Sequence, residues 1–192
     1  MANICVFASS TNNIEKKFYS SARQLGREMA NRGHNLIYGG SHRGLMGEVA
    51  KQLSQENIRE ITPEIFADSV INLERATITK DFEDRKKLMW GHSDSFIALP
   101  GGVGTLDEIF FALLRNVYVN EKNLTIKPLT IINIGGFYYS LKEQFNLMYQ
   151  KNFIPEDNKQ MYSFVENPYQ ALDFIEHFKQ PKLKNRKSHC DK

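Results

Sequence analysis

The chain has 192 residues, of which 41% are hydrophobic, 24% charged and 11% aromatic, with 12 Gly and 6 Pro. This excludes a disordered, collagen-like or low-complexity chain, and the length suits one domain with its own core. The formal charge of +3 divides unevenly, because residues 181–192 hold five Lys/Arg against one Asp and leave a body of 20 Lys/Arg and 21 Asp/Glu. A near-neutral body argues against a nucleic acid polymer as partner. The basic, polar tail over 181–192 reads as a disordered end after a domain over 1–180. Cys5 and Cys190 stand at opposite ends, which excludes a disulfide framework and suits a reducing compartment. No CxxC, HExxH or HxxxH spacing gathers metal ligands. Apolar runs fall far short of the roughly 18 residues that cross a bilayer, so a cytoplasmic protein without membrane contact is expected.

In chain order, Asn3–Ala8 reads as a strand. Ile14, Phe18, Ala22, Leu25 and Met29 then form a helical stripe that stops at Gly33. Leu36–Tyr38 is a strand running into Gly39-Gly40, followed by a helix from Leu45 to Gln55. Ile58–Thr62 and Ala76–Thr79 are shorter strands, and a helix spans Asp81–Gly91. Ser95–Leu99 is a strand ending at Pro100-Gly101-Gly102, and Thr105–Val119 is a helix apolar on most of its circumference. Leu129–Ile134 is the last strong strand, ending at Gly135-Gly136, and helices over 138–150 and 168–178 complete the pattern. The alternation predicts an α/β fold: a single-domain, Rossmann-like open parallel sheet with helices on both faces. Three strands end in paired glycines, where a ligand can approach backbone at the carboxyl edge of the sheet.

Leu99-Pro100-Gly101-Gly102-Val103-Gly104-Thr105-Leu106-Asp107-Glu108 is the densest motif. A strand, a glycine loop and a helix start together offer free N–H groups to an anion such as phosphate. It is neither a Walker A loop nor a dinucleotide fingerprint. Thr105–Glu108 also fits a capping box, so Glu108 stands open between a cap and a catalytic carboxylate. A second glycine loop runs from Gly39 to Gly47 and includes Gly40 and Gly44. In Asp81–Met89, helical spacing puts Phe82, Arg85, Lys86 and Met89 on one face. Arg85 and Lys86 are read either as snorkelling surface cations or as groups reaching a shared anion.

Together these motifs resemble those of the Lonely Guy family, phosphoribohydrolases often mislabelled as lysine decarboxylases. Pro100–Glu108 is similar to the family's Pro-Gly-Gly-x-Gly-Thr-x-x-Glu loop, and Arg85-Lys86 to its upstream Arg-Lys pair. Tyr38-Gly39-Gly40 and Gly44-Leu45-Met46-Gly47 match a further stretch, and the similarity runs from about Asn3 to Phe178. Three departures stand out. Ser41 replaces a third glycine, Phe82-Glu83 replaces Met-His, and Leu114-Arg115-Asn116-Val117 replaces the Thr-Trp-Ala-Gln of plant members. The last is expected to alter the base pocket.

The resemblance implies hydrolysis of the N-glycosidic bond of a nucleoside 5′-monophosphate, either a cytokinin riboside 5′-monophosphate or AMP, without metal or cofactor. Gly102, Val103, Gly104 and Thr105 would hold the phosphate, with Gly40 and Gly44 in the substrate wall. Glu108 would stabilise positive charge on the ribose and position water, Arg85 would orient substrate and Glu108, and Lys86 would lie near phosphate or ribose. The alternatives are a general purine or pyrimidine nucleotide nucleosidase and a non-catalytic nucleotide carrier or sensor. The apolar circumference of the Thr105 helix, with the resemblance, implies a homodimer burying part of that helix.

Overall fold

In the first strand, Ile4 and Val6 enter one apolar layer while Cys5 and Phe7 enter the other. A strand covered on both faces needs apolar side chains at successive positions, which is why it reads as an unbroken run. Leu36 and Tyr38 divide from Ile37 in the same way, as do Ile97 and Leu99 from Phe96 and Ala98. The computed structural model describes residues 1–70, 76–119 and 125–180. The expected basic tail over 181–192 lies outside the described residues.

The elements in order are β1 (Asn3–Phe7), α1 (Lys16–Asn31), β2 (Asn35–Tyr38), α2 (Gly44–Ala50), β3 (Ile58–Pro63), β4 (Thr77–Thr79) and α3 (Phe82–His92), then β5 (Ser95–Ala98), α4 (Val103–Val119), β6 (Leu129–Ile132), α5 (Tyr139–Gln150), β7 (Tyr162–Val165) and α6 (Pro168–Glu176). All seven strands are parallel, in the order β4-β3-β2-β1-β5-β6-β7. Helices α1, α2 and α6 pack on one face through Phe18, Leu25, Val49 and Leu172. Helices α3 and α4 cover the other through Met89, Ile109 and Ala112, joined by Leu141 of α5. The expected open parallel sheet with helices on both faces is present. The strand order reverses direction between β1 and β5, so their carboxyl ends flank the crevice where such sheets bind ligands.

Several boundaries differ from expectation and one strand was missed; the four differences that follow bear on the site or the sheet. Helix α2 stops at Ala50 because its end tightens: Gln52 and Leu53 N–H donate to the carbonyls three residues back, Val49 and Ala50, and Leu53 turns into the core. Strand β6 stops at Ile132, since Asn133 leaves the sheet and its Oδ1 accepts from Tyr138 N–H at 2.6 Å. Strand β7 was not expected, although Tyr162 and Phe164 alternate with Val165 between the two apolar layers. Helix α4 starts at Val103, two residues before Thr105.

The Leu114–Val117 departure also has a structural purpose. Asn116 is fully buried. Its amide donates to Lys127 O at 2.8 Å and accepts from Lys127 N–H at 3.0 Å, fixing the chain as it enters β6. Removing the side chain strands both backbone groups, so Asn116→Ala should lose about 2 kcal/mol of stability. Urea unfolding checks this, and an unchanged midpoint would show that Asn116 anchors nothing.

Candidate active site

A cavity of about 560 Å³ opens over the carboxyl ends of β1, β2, β3 and β5, a volume in the range of small-molecule sites. Its floor is a buried ion pair. Arg85 rises from α3 and its Nη2 meets Glu108 Oε1 of α4 at 2.8 Å, while its Nε donates to Ile61 O of β3 at 3.2 Å. Both side chains are largely buried, which overturns the reading of Arg85 as a snorkelling surface cation. Gly39 makes the pair possible, because a Cβ there would collide with the Arg85 guanidinium. Burial pushes the Glu108 carboxyl above its ordinary value, and the Arg85 guanidinium opposes that rise without cancelling it. The Cys5 thiol beneath is pushed well up, by burial and then by the Glu108 charge.

The capping box is overturned as well. With α4 starting at Val103, Thr105 lies inside the first turn, and Glu108 turns to Arg85 instead of back along the helix. Leu106 N–H makes an early helical bond, to Gly102 O at 3.1 Å. The N–H groups of Val103, Gly104 and Thr105 precede it and belong to the unpaired first turn. Beneath the loop, Tyr138 Oη donates to Leu99 O at 2.9 Å, holding the strand end from which the glycines start.

Of the expected site residues, Arg85, Glu108, Gly102, Gly104 and Thr105 line the cavity together. Lys86, Val103, Gly40 and Gly44 are not in its wall. The Lys86 ammonium turns to Asp107 at 2.9 Å and Glu83 at 2.7 Å and sits 5.3 Å from the Phe111 ring centroid. Burial works against its charge, but the two carboxylates outweigh burial and hold its pKa above the ordinary value. The Val103 side chain faces solvent. Gly40 is buried behind the wall. Gly44 adopts φ +59°, and a Cβ there would meet the Ser9 and Ser10 backbone at 2.6 Å. It lets α2 close against the β1 loop. Gly135-Gly136, the third glycine pair, forms a turn away from the cavity.

Other lining residues were not singled out by sequence: Ser9, Ser10 and Thr11 after β1, Ile65, Phe66 and Asp68 after β3, and Phe82 at the start of α3. Phe66 and Phe82 meet edge to face at 5.8 Å between centroids, and with Ile65 they are substantially exposed at the mouth. Leu114–Val117 does not line the cavity, so the expected effect of that departure on the base pocket is corrected. Leu114 points outward, Arg115 packs over Trp90 and Phe111, and Asn116 serves β6.

Comparison with known proteins bears on these features. The family described as "Possible lysine decarboxylase" matches residues 16–175. A cytokinin riboside 5′-monophosphate phosphoribohydrolase of Arabidopsis thaliana is 30% identical over 181 residues, covering 92% of this chain and 78% of the relative. A second Arabidopsis thaliana protein of that name is 33% identical over 156 residues, covering 79% and 71%. Among solved structures, the molybdenum cofactor binding protein of Rippkaea orientalis shares the fold, with a TM-score of 0.66, 21% identity and coverage of 91% and 94%. The glycine loop, the Arg85–Glu108 pair and the match across nearly the whole sheet agree, and the chain belongs to the Lonely Guy phosphoribohydrolase family, whose sequence profile bears the lysine decarboxylase description.

Proposed function

We propose that this chain hydrolyses the N-glycosidic bond of a nucleoside 5′-monophosphate to free base and ribose 5-phosphate. The observation that carries the reading is the buried Arg85–Glu108 pair in the same cavity as the Gly102–Thr105 segment. A carrier needs the anion-binding backbone alone. A carboxylate held in a buried wall beside a cation suits a reaction that develops positive charge nearby.

In the proposed reaction the first-turn N–H groups of α4 and the Thr105 hydroxyl take the 5′-phosphate. The Glu108 carboxylate stabilises the oxocarbenium-like ribose and orients water toward the anomeric carbon. The C–N bond breaks with its electron pair leaving on the base, which takes up a proton, while water oxygen bonds the sugar carbon and releases one. Arg85 fixes the rotamer of Glu108. Lys86, tied to Asp107, supports the second turn of α4 instead of touching ligand. Phe66, Phe82 and Ile65 give the base an apolar wall. The decarboxylase description finds no counterpart in this chemistry. Nucleotide substrate and a buried Cys5 thiol support a cytoplasmic setting.

Glu108→Gln keeps the shape of the side chain and should fold normally, yet turnover of AMP should fall at least about a hundredfold. In the same assay of base and ribose 5-phosphate release, adenosine should react orders of magnitude more slowly than AMP, having lost the charge-assisted bonds of the phosphate. An isopentenyl group on AMP should change kcat/KM less, since a small apolar group contributes about 1–3 kcal/mol. Near-native turnover by Glu108→Gln, or equal rates on adenosine and AMP, would sink the mechanism.

The ionised form of Glu108 is the working form, and its pKa is raised. Activity should therefore fall with decreasing pH at a point above the ordinary carboxylate value of about 4.3. Arg85 lowers that pKa, so Arg85→Gln should shift the Glu108 titration further upward. Carbon-13 NMR of the carboxyl groups reads both changes, and a downward shift in the variant would reverse the assigned balance between burial and charge.

The homodimer belongs to the same proposal. Phe110, Leu114 and Tyr118, spaced four apart on α4, are each about half exposed, whereas Ile109, Ala112 and Val119 face the core. The helix is thus not wholly buried, and its outer apolar stripe suits a second copy related by two-fold symmetry. Light scattering at micromolar concentration should give twice the 22.2 kDa chain mass, and Leu114→Glu should shift it toward the monomer. A monomeric parent protein would refute the assembly.

A further inference from the structure

Of the charged side chains lining the cavity, Arg85 is committed to Glu108 and to Ile61 O, and Asp68 adds a second carboxylate. A phosphate dianion entering this site meets backbone N–H groups but no cation that Arg85 can spare. Arg43 lines the same cavity and is exposed. Its guanidinium has no hydrogen-bond or ion-pair partner among the described residues, and only its backbone is engaged, the N–H donating to Ser41 Oγ at 3.2 Å and the carbonyl accepting from Gly47 N–H at 3.0 Å. We infer that Arg43 is the side-chain cation that binds the phosphate of the ligand, facing the Gly102–Thr105 segment across the end of β1. The inference rests on the nucleotide-hydrolase reading for its substrate, and it adds a residue to the binding site.

Backbone connections fix Arg43 relative to the glycine segment. Leu45 and Met46 N–H both donate to Ser9 O, at 2.8 and 3.3 Å, and Ser9 N–H donates to Pro100 O at 3.2 Å. Arg43 is therefore anchored through Ser9 to the loop that begins the phosphate segment. Gly44 packs on the Ser9–Ser10 backbone with no room for a Cβ, so the Arg43 end of α2 stays close to the β1 loop. Arg43 itself is extended, at φ −102° and ψ 166°, ahead of a helix too short to attract an anion by its own terminus. The attraction must come from the guanidinium, whose forked donors match phosphate oxygens.

The test is calorimetric titration of the intact protein with ribose 5-phosphate and, in parallel, with adenosine. Arg43→Ala should weaken ribose 5-phosphate binding roughly tenfold or more, the scale of one charge-assisted hydrogen bond, and adenosine binding by less than about twofold. Arg43→Lys should recover part of the loss by restoring the charge without the fork. Equal weakening of both ligands, or a change below about twofold for ribose 5-phosphate, would overturn the assignment. So would a wild-type protein that fails to bind ribose 5-phosphate. Binding needs no turnover, so the two readings separate. A protein that binds through Arg43 but releases no base refutes the hydrolase reading alone, whereas one that hydrolyses AMP equally well with Ala at 43 refutes only the role of Arg43.

Discussion

The ion pair between Arg85 and Glu108 constrains everything around it. Taking both charges out of water costs several kcal/mol each, and their attraction returns this only when the geometry is held tightly. The holding is visible on three sides. Ile61 O accepts from the guanidinium, α4 presents the carboxylate from its second turn, and Gly39 leaves out the side chain that would displace Arg85. Such a pair is a poor investment for stability alone. Its position in a cavity wall, at the point where strand order reverses, indicates that the fold bears the cost for what happens in the cavity.

The same economy explains why the glycines differ in purpose. Gly102 and Gly104 line the cavity, so their missing side chains leave backbone accessible to a ligand. Gly39 and Gly44 act one layer back, the first making room for a guanidinium and the second for the β1 loop. Gly135 and Gly136 only turn the chain. One residue type at three strand ends thus serves ligand access, side-chain clearance and chain reversal. Sequence alone registers the glycines without separating these purposes, because the distinction lies in what a Cβ would strike.

The architecture was legible wherever burial imposed a period. The apolar runs of β1, β2, β5 and β6 and the stripe Phe18–Ala22–Leu25–Met29 report two covered faces and one helical contact, and each lies in the element expected for it, although β6 ends at Ile132 and Ile14 precedes α1. Strand β7 escaped because its four residues alternate only briefly at a sheet edge. In the site, Pro100–Glu108 was legible because loop and helix are contiguous. The Ser9–Thr11 loop, Phe66 and Asp68 were not, since they meet the glycine loop only through the strand order β3-β2-β1-β5. Lys86 shows the converse failure. It neighbours Arg85 in sequence, but the helix rotates it by about 100°, enough to carry its ammonium to Asp107 and away from the cavity.

Fold likeness and chemistry separate cleanly in this molecule. The sheet resembles that of a molybdenum cofactor binding protein at 21% identity, and a sheet with a glycine loop at its switch point suits any phosphorylated ligand equally well. What selects among such ligands must be side chains added to the shared backbone. Here those are few: a carboxylate raised in pKa by burial, the guanidinium beside it, an aromatic pair at the mouth and an exposed arginine ahead of α2. In the proposed reaction the first two act on the glycosidic bond, the aromatics on the base, and Arg43 on the phosphate. Substitutions at Arg43 or at the mouth should therefore leave the sheet undisturbed, whereas removing Arg85 also strands a buried carboxylate on which the surrounding packing depends.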